Sequence, residues 1–338
     1  MIPLLLALAA PVFAADHHVV RAGDTVASIA AALGDPSLEG AILKANGLTR
    51  ADPLEVGAVL LLPDRGARPP EAVLHSYFGT GSITPPGGAA AAFDTSLPLP
   101  EGTTVCTDAD SFATLRLASD ADGPDHDDVN LWPDTCLEIR SLAARAGDRS
   151  SLINVTRGSV SVQAVRKGET QGTITVTTAD AVATSRGGGH RVHVEDGATR
   201  TEALYNPLAV IAQGVELDLQ PGQGSRIKAG EAPGKPVQLL VPGTPSAPDA
   251  GLPLRVPDFE WTPVDRALGY VLEIGLDAEF RDIVLLEDLP GPAYAPELLI
   301  VPWREDGLWW RVTSYDRMGF MGVPSDPRPQ RFPIEEQP

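Results

Sequence analysis

Three small groups of side chains in this 338-residue sequence could do chemistry. The first is an acidic stretch at 120–128, whose carboxylates could offer several oxygen ligands to a hard cation such as Ca²⁺. It contains Asp120, Asp122, Asp125, His126, Asp127 and Asp128. Because the spacing is not the full D-x-D-x-D-G pattern of a calcium loop, a solvated hairpin tip explains the stretch equally well. We therefore predict no metal site and no cofactor, and keep Ca²⁺ binding at this stretch as an alternative.

Cysteine and histidine form the other two groups. Cys106 and Cys136 are the only cysteines, and neither stands beside a histidine or in a C-x-x-C motif. An even pair in an oxidising compartment favours a structural disulfide over a catalytic thiol. His190 and His193 stand three apart on a predicted strand, which puts them on opposite faces and argues against a shared metal. We expect one of these rings to be exposed and the other to be partly buried.

Catalytic motifs are missing from the sequence. It has no G-x-S-x-G nucleophile elbow, no H-E-x-x-H zinc motif and no G-x-x-x-x-G-K phosphate loop. A paired-acid glycosidase is compatible with the many carboxylates, but it needs a deep cleft that short β modules seldom provide. The sequence therefore predicts a binding protein and not an enzyme.

Charge and composition narrow the class of partner. Asp and Glu number 45 against 26 Lys and Arg, for a formal net charge of −19. A field of this sign repels phosphate backbones and anionic lipid heads, which disfavours nucleic-acid binding. The sequence is rich in Gly and Pro, and its Val, Thr and Leu residues alternate with polar ones. This pattern is typical of short strands and turns.

The first residues read as an export signal. Residues 1–14 are apolar and end in small residues at the positions that a signal peptidase reads. The run is too short to span a membrane, and no later segment is long enough. We expect cleavage near Ala14 and a periplasmic or secreted protein without a membrane span.

Residues 17–64 predict a compact strand–helix–helix–strand domain. The core face of the first helix has helical spacing, with apolar residues at Val26, Ile29, Ala30 and Leu33. Asp24 is placed to cap this helix. A second apolar stripe follows at Leu38, Ala41, Ile42 and Ala45, and Val59–Leu62 is the returning strand.

This pattern resembles the LysM family of glycan-binding modules. The matching residues are Gly23-Asp24-Thr25, Ser28-Ile29-Ala30, Asn46-Gly47-Leu48, Leu54, Gly57, Leu60 and Pro63. The resemblance implies binding of N-acetylglucosamine polymers, above all peptidoglycan, in a groove between the loops that follow the first strand and precede the second. The implied groove residues are Gly23, Asp24, Thr25, Asn46, Gly47 and Leu48. The alternative is that these residues serve only as turn and cap residues.

After a charged, Pro-containing linker at 65–71, many short alternating segments predict a β-rich domain over 72–240. The order of its pieces resembles the periplasmic FecR domain. The features that carry the resemblance include Leu99–Thr103, Val129–Pro133, a turn at Arg157–Val160, and Leu219–Gly224. The membrane helix and cytoplasmic tail of the signalling members are missing, so the resemblance implies a scaffold or envelope-interaction role.

A Pro/Gly/Ser segment at 241–253 predicts a second linker that does not pack. Residues 254–334 resemble a fibronectin type III or related immunoglobulin-like sandwich. The aromatic residues that would fill its core are Trp261, Tyr270, Phe280 and Trp310.

The whole sequence therefore predicts a multi-domain, mainly β protein: a small βααβ module, a FecR-like β domain and a β-sandwich. Its predicted function is to bind peptidoglycan and to present the β domains as a scaffold or a platform for an envelope protein. One alternative is a FecR-like regulatory binding protein of the periplasm. A second is a cell-wall hydrolase with an unrecognised site, for which no catalytic residue can be named.

Overall fold

The computed structural model describes residues 17–331 apart from 34, 51, 63–71, 118–126, 146–147, 165, 168–169, 196, 249–257, 297–298 and 300–306. The fold is mainly β, as the sequence predicts, and all described helices precede residue 46. The predicted signal peptide, the linker at 65–71 and most of the acidic stretch lie outside the described residues. Within the described part, no helix is long and apolar enough to cross a membrane.

The N-terminal unit (described residues 17–62) consists of β1 (His17–Val19), α1 (Val26–Ala32), a 3₁₀ turn (Pro36–Leu38), α2 (Glu39–Ala45) and β2 (Val59–Leu61). The two strands pair antiparallel. Its core contains Val20, Val26, Ile29, Ala30, Ile42, Leu43, Leu60 and Leu62. The apolar stripe of α1 is confirmed, with Leu33 half-buried at its end.

The apolar stripe of α2 differs from the prediction. Leu43 is buried beside Ile42, whereas Ala41 and Ala45 are exposed. Leu38 belongs to the 3₁₀ turn and not to the helix. Because a 3₁₀ turn has three residues per turn, it shifts the phase of the helix that follows. The predicted stripe is therefore right for Leu38 and Ile42, which pack in the core, and wrong for Ala41 and Ala45.

The middle unit (described residues 72–240) contains eighteen described strands. They are β3 (Ala72–Phe78), β4 (Gly81–Thr84), β5 (Ala91–Ala92), β6 (Pro98–Leu99), β7 (Thr104–Thr107), β8 (Phe112–Leu117), β9 (Asp127–Leu131), β10 (Cys136–Arg145), β11 (Asp148–Ala164), β12 (Arg166–Lys167), β13 (Thr170–Thr177), β14 (Val182–Arg186), β15 (Gly188–Glu195), β16 (Ala198–Ala203), β17 (Leu208–Ala212), β18 (Val215–Leu219), β19 (Gln223–Lys228) and β20 (Val237–Gln238). The Cys106–Cys136 disulfide is confirmed and joins β7 to β10 at directly opposed positions.

The long strand β11 shapes this unit. Its first half pairs with β10 and β13, and its second half pairs with β9 and β15. The change of partners falls at Gly158, which has a positive φ of 80°. The sequence predicts a turn at Arg157–Val160, but the structure has a continuous strand there. Glycine allows the strand to bend without ending, so that its two halves fold over one apolar core.

The C-terminal unit (described residues 241–331) contains seven described strands. They are β21 (Pro245–Ala247), β22 (Phe259–Trp261), β23 (Gly269–Gly275), β24 (Ile283–Leu289), β25 (Ala293–Tyr294), β26 (Leu308–Tyr315) and β27 (Arg328–Gln330). One sheet has the order β21-β22-β25 and the other β24-β23-β26-β27. Phe259 and Trp261 from the first sheet share a core with Tyr270 and Trp310 from the second.

Two details of this unit differ from the sequence prediction. Pro245–Ala247 pairs with β22, so the segment at 241–253 is packed in part. Proline is tolerated there because β21 is an edge strand. Phe280 is fully buried, but it clusters with Phe112 of the middle unit and not with the sandwich core.

The outer face of the C-terminal four-stranded sheet packs against a polar face of the middle unit. Thr114 Oγ1 donates a 2.7 Å hydrogen bond to the carbonyl oxygen of Arg281, and Asn130 Nδ2 donates one of 3.2 Å to that of Phe280. Farther along, Arg191 Nη1 donates to the carbonyl oxygen of Gly322 at 3.1 Å. Polar residues that alternate outward along the middle strands are therefore buried: Thr114, Asp128, Asn130, Arg191 and Glu202.

Candidate functional site

The first predicted site loop follows β1. Asp24 Oδ2 accepts hydrogen bonds from His18 Nε2 at 2.7 Å and from the backbone N–H of Arg21 at 2.8 Å. Burial by itself would raise the pKa of Asp24, but the hydrogen bonds from His18 and Arg21 outweigh it and hold that pKa below its usual value. The carboxylate therefore stays ionised and ties the loop back to β1. His18 is a partner that the sequence did not single out, although the two residues flank one tight turn.

The cap of α1 is Thr25 and not Asp24. Thr25 Oγ1 accepts from the backbone N–H of Ser28 at 3.0 Å, and Ser28 Oγ accepts from the backbone N–H of Thr25 at 2.9 Å. This reciprocal pair is a capping box, which satisfies two backbone donors at the start of the helix. The sequence prediction of Asp24 as the cap was wrong because its carboxylate is occupied by β1 and the turn.

Asn46 begins the second predicted site loop, and its side chain is fully engaged in structure. Nδ2 donates to the carbonyl oxygens of Ile42 and Leu61, each at 2.8 Å. Oδ1 accepts from the backbone N–H of Leu61 at 2.8 Å. Both amide protons are therefore used, and the side chain fastens the end of α2 to β2.

Open surface is found at the glycines of the two loops. Gly23 and Gly47 are exposed, have positive φ values of 90° and 64°, and have empty space where a Cβ would stand. Leu48 is half-buried and packs on the core of the unit. The side chains of Asp24, Thr25 and Asn46 thus hydrogen-bond within the domain, while the loops offer backbone groups to solvent. Backbone N–H and C=O groups can hydrogen-bond the neutral hydroxyl and acetamido groups of a sugar, so no charged side chain is required.

The two loops are fastened to neighbouring positions of one small sheet. His18, which holds Asp24, lies opposite Leu60 in the register of β1 and β2. Leu61, which Asn46 binds, lies opposite His17. Each predicted site loop is thus tied by one side chain to this two-stranded sheet.

The N-terminal unit packs on the middle unit, and Arg21 in the first loop lies 3.6 Å from Glu216 of β18. His17 Nε2 lies 2.8 Å from Thr175 Oγ1, and His17 Nδ1 lies 3.2 Å from Ser150 Oγ. Gly57, in the turn before β2, lies against the side chain of Ile211. These contacts leave Gly23 and Gly47 open to solvent.

The described part of the acidic stretch is a buried ion-pair network. Asp127 pairs with Arg149 at 3.4 Å, and Asp128 pairs with Arg116 at 3.4 Å and with Arg281 at 3.3 Å. Burial raises the pKa of Asp128, against the opposing effect of these arginines. Neither aspartate is at a solvated hairpin tip, which corrects that reading for these two residues. The described residues hold no cluster of three or more His, Cys, Asp or Glu suited to a metal.

The two histidines of β15 differ in exposure. His190 is fully buried, which lowers its pKa to about 3, and neither ring nitrogen has a hydrogen-bond partner among the described residues. His193 keeps about a third of its side chain exposed. Burial first, and then Arg200, lower the pKa of His193 to about 4, and its Nδ1 bonds to Ser159 Oγ. The more exposed ring is thus only partly exposed, and the other is more deeply buried than expected.

Comparison with known proteins places one domain. Residues 18–63 match the sequence profile of the LysM domain. This part of the chain is therefore a LysM domain, a class of module that indicates binding of peptidoglycan or a related glycan. A search of curated proteins gave no match.

Two crystal structures of a protein assigned as an anti-sigma factor from Parabacteroides distasonis ATCC 8503 are similar to part of the chain. Their sequence identities are 16% and 14%, and each match covers 40% of this chain and 58% of the other. The TM-score is 0.30 for both, which is too low to support an inference about fold or function.

Proposed function

We propose that this protein binds peptidoglycan through its LysM domain and holds the middle and C-terminal units at the cell envelope as a platform for a partner protein. The observation that carries the proposal is the LysM match at 18–63, with both glycine loops exposed while the domain is packed on the middle unit. The Cys106–Cys136 disulfide supports a periplasmic or secreted location because such bonds persist in oxidising compartments.

The proposed groove divides its residues into two roles. Gly23, Gly47 and Thr25 contact the sugar because they are exposed, and Leu48 supports the second loop from the core. Asp24 and Asn46 hold the loops in place through the hydrogen bonds to His18 and Leu61. This division is supported by the hydrogen bonding of the two polar side chains, which leaves them few groups for a ligand.

The proposal assigns residues 72–240 to a FecR-like domain and 254–334 to a fibronectin type III-like sandwich. Seven antiparallel strands divided three and four between two sheets support the second assignment. Because β21 pairs with β22, we extend this sandwich from residue 254 back to Pro245.

Co-sedimentation of the mature protein with purified sacculi tests glycan binding. Gly23→Asn with Gly47→Asn fills both loops, and asparagine tolerates positive φ better than other side chains do. Gly230→Asn is the matched control, since Gly230 also has a positive φ of 72° and open space around it. We expect the wild type and the control to pellet and the double variant to stay in the supernatant.

Each other outcome contradicts one part of the proposal. If the wild type does not pellet, the domain does not anchor the protein to peptidoglycan. If the double variant pellets like the control, the groove is placed wrongly. Loss of turbidity in the same sacculus suspension would instead favour the hydrolase alternative.

A further inference from the structure

A cleft of about 600 Å³ opens where the middle and C-terminal units diverge at the edge of their interface. This volume is within the range of about 300–1,000 Å³ that is typical of ligand pockets. Phe78, Phe112 and Trp132 line it from the middle unit, and Val284 and Leu286 line it from β24. The cleft lies far along the chain from the LysM loops and uses none of their residues.

The walls of the cleft are apolar and include an exposed aromatic ring. Phe78 is about half exposed (51%) and stacks on Phe112 with ring centroids 5.2 Å apart. Leu286 packs against the cluster formed by Phe112, Phe280 and Ile283. Covering exposed apolar surface of this kind with another chain lowers the free energy, so the surface favours binding.

Among the described residues that line the cleft, the charged ones are all carboxylates: Asp110, Glu287 and Asp288. None of them forms an ion pair with a basic side chain of the described residues. Glu287 accepts a 3.1 Å hydrogen bond from the hydroxyl of Tyr294, and Asp288 accepts one of 2.7 Å from that of Tyr315. The cleft therefore joins negative charge to an apolar wall, a combination that attracts a chain with both apolar and cationic side chains.

Strand β24 also offers backbone groups. It stands at the edge of its sheet and pairs only with β23 among the described strands. An edge strand leaves N–H and C=O groups that an extended peptide can pair with. Because Val284–Asp288 line the cleft, such a peptide would lie along it.

We propose that this cleft binds an extended segment of a partner protein in which apolar residues alternate with Lys or Arg. The apolar side chains enter between Phe78 and Leu286, the cations meet Asp110 and Asp288, and the backbone pairs with β24. The inference rests on the platform role proposed above and locates its binding site.

Fluorescence anisotropy with a labelled synthetic peptide of alternating Lys and Val tests the cleft in the full mature chain, beside a Glu/Val peptide of the same length. Asp110→Asn with Asp288→Asn removes two cleft charges. Asp265→Asn with Glu231→Gln removes two highly exposed charges elsewhere and is the control. We expect Kd for the Lys/Val peptide to rise about tenfold or more in the cleft variant and by less than about twofold in the control. The Glu/Val peptide should not bind.

Phe78→Ala provides an independent variant, because its ring is half exposed and we expect the fold to tolerate its loss. We expect it to raise Kd several-fold and, at a fixed peptide concentration near the wild-type Kd, to reduce the protection from hydrogen exchange that the peptide gives to β24. Equal weakening by the cleft and control variants would show attraction to the net charge alone and would overturn the proposal. So would absence of Lys/Val binding, or displacement of the peptide by an N-acetylglucosamine oligomer. Sacculus binding should be unchanged in all these variants, so the glycan and peptide proposals fail separately.

Discussion

Asn46 has a structural task inside the candidate glycan site. Its three hydrogen bonds join α2 to β2, so Asn46→Ala leaves the backbone groups of Leu61 without these partners. Losing them costs about 2–3 kcal/mol locally. We expect hydrogen exchange to quicken across α2 and β2 in Asn46→Ala and to stay unchanged in Gly23→Asn, which alters only the surface. Loss of sacculus binding by Asn46→Ala with unaltered exchange would instead make Asn46 a direct ligand.

His190 couples stability to pH because it is buried without a hydrogen-bond partner among the described residues. Its pKa is lowered to about 3 in the folded protein from 6.5. Below pH 6.5 the unfolded chain binds more protons, so the free energy of unfolding falls as the pH drops towards 3. We expect His190→Leu to be at least as stable at neutral pH and to lose less stability on acidification.

Urea unfolding at about pH 7 and about pH 4.5 measures this difference. His193→Gln is the comparison variant, and it should reduce the pH dependence less, because about a third of that side chain is exposed. An identical loss of stability on acidification in His190→Leu and wild type would contradict the prediction.

At the scale of single residues, the sequence identified the two LysM loops but not the hydrogen bonds that each side chain makes. Gly23-Asp24-Thr25 and Asn46-Gly47-Leu48 were found because their order along the chain is distinctive. The bonds from Asn46 to Leu61 span 15 residues and depend on how α2 meets β2. No local pattern carries that information.

Gly158 lets one strand serve two sheets. A Cβ at Gly158 would collide with the side chain of Thr135 and come within 2.7 Å of the carbonyl oxygen of Asp134, and its φ is positive. Gly197 has a similar φ of 72° but open space around it. We expect Gly158→Ala to destabilise the middle unit by about 3 kcal/mol or more and Gly197→Ala by only about 1 kcal/mol. Urea unfolding of both variants tests this, and equal effects would show that strain in φ alone matters.

The Cys106–Cys136 disulfide links β7 and β10 and closes a loop with a sequence separation of 30. On the chain-entropy estimate, a loop of this size stabilises by about 3–4 kcal/mol. We expect Cys106→Ser with Cys136→Ser to lower the free energy of unfolding by that amount. Mass spectrometry after alkylation, with and without reduction, checks the bond itself. Two free thiols in protein from the periplasm would contradict it.

Elements with a regular local signal were predicted best. The apolar spacing of α1 and the alternation along the middle strands appear in the structure as a buried helix face and as strands. At Arg157–Val160 the same glycine signal fits a turn or a bent strand. Only the pairing of Ser159 with His193 and of Arg157 with Cys136 decides between them, and those partners are distant in sequence.

Across the whole molecule, polar residues that alternate with core residues along a strand can face either solvent or another unit. The sequence alone does not distinguish the two cases. Thr114, Asn130 and Arg191 alternate with core residues and would ordinarily face solvent. In the structure they bind backbone carbonyls of the C-terminal unit, at sequence separations of 131 to 167. The modular picture of domains on linkers therefore misses this buried polar interface.

Phe280 tests whether this interface joins the two units into one cooperative body. Its buried ring packs between units with Phe112, and the Arg311 guanidinium lies 4.1 Å from the ring centroid. Phe259 is equally buried but lies within the sandwich core, with its ring 5.2 Å from that of Trp310. Replacing either by leucine removes apolar contacts at a cost of about 1–2 kcal/mol and keeps both units folded.

The two substitutions should differ in which strands lose protection from hydrogen exchange. In Phe280→Leu, hydrogen exchange should quicken in β8 and β9 of the middle unit as well as in β24, because the interface opens more often. In Phe259→Leu the change should stay within β22, β23 and β26. Exchange measured by mass spectrometry on the full chain separates the two patterns. If Phe280→Leu leaves β8 and β9 unchanged, the units are only tethered, and the cleft between them would not be a fixed binding site.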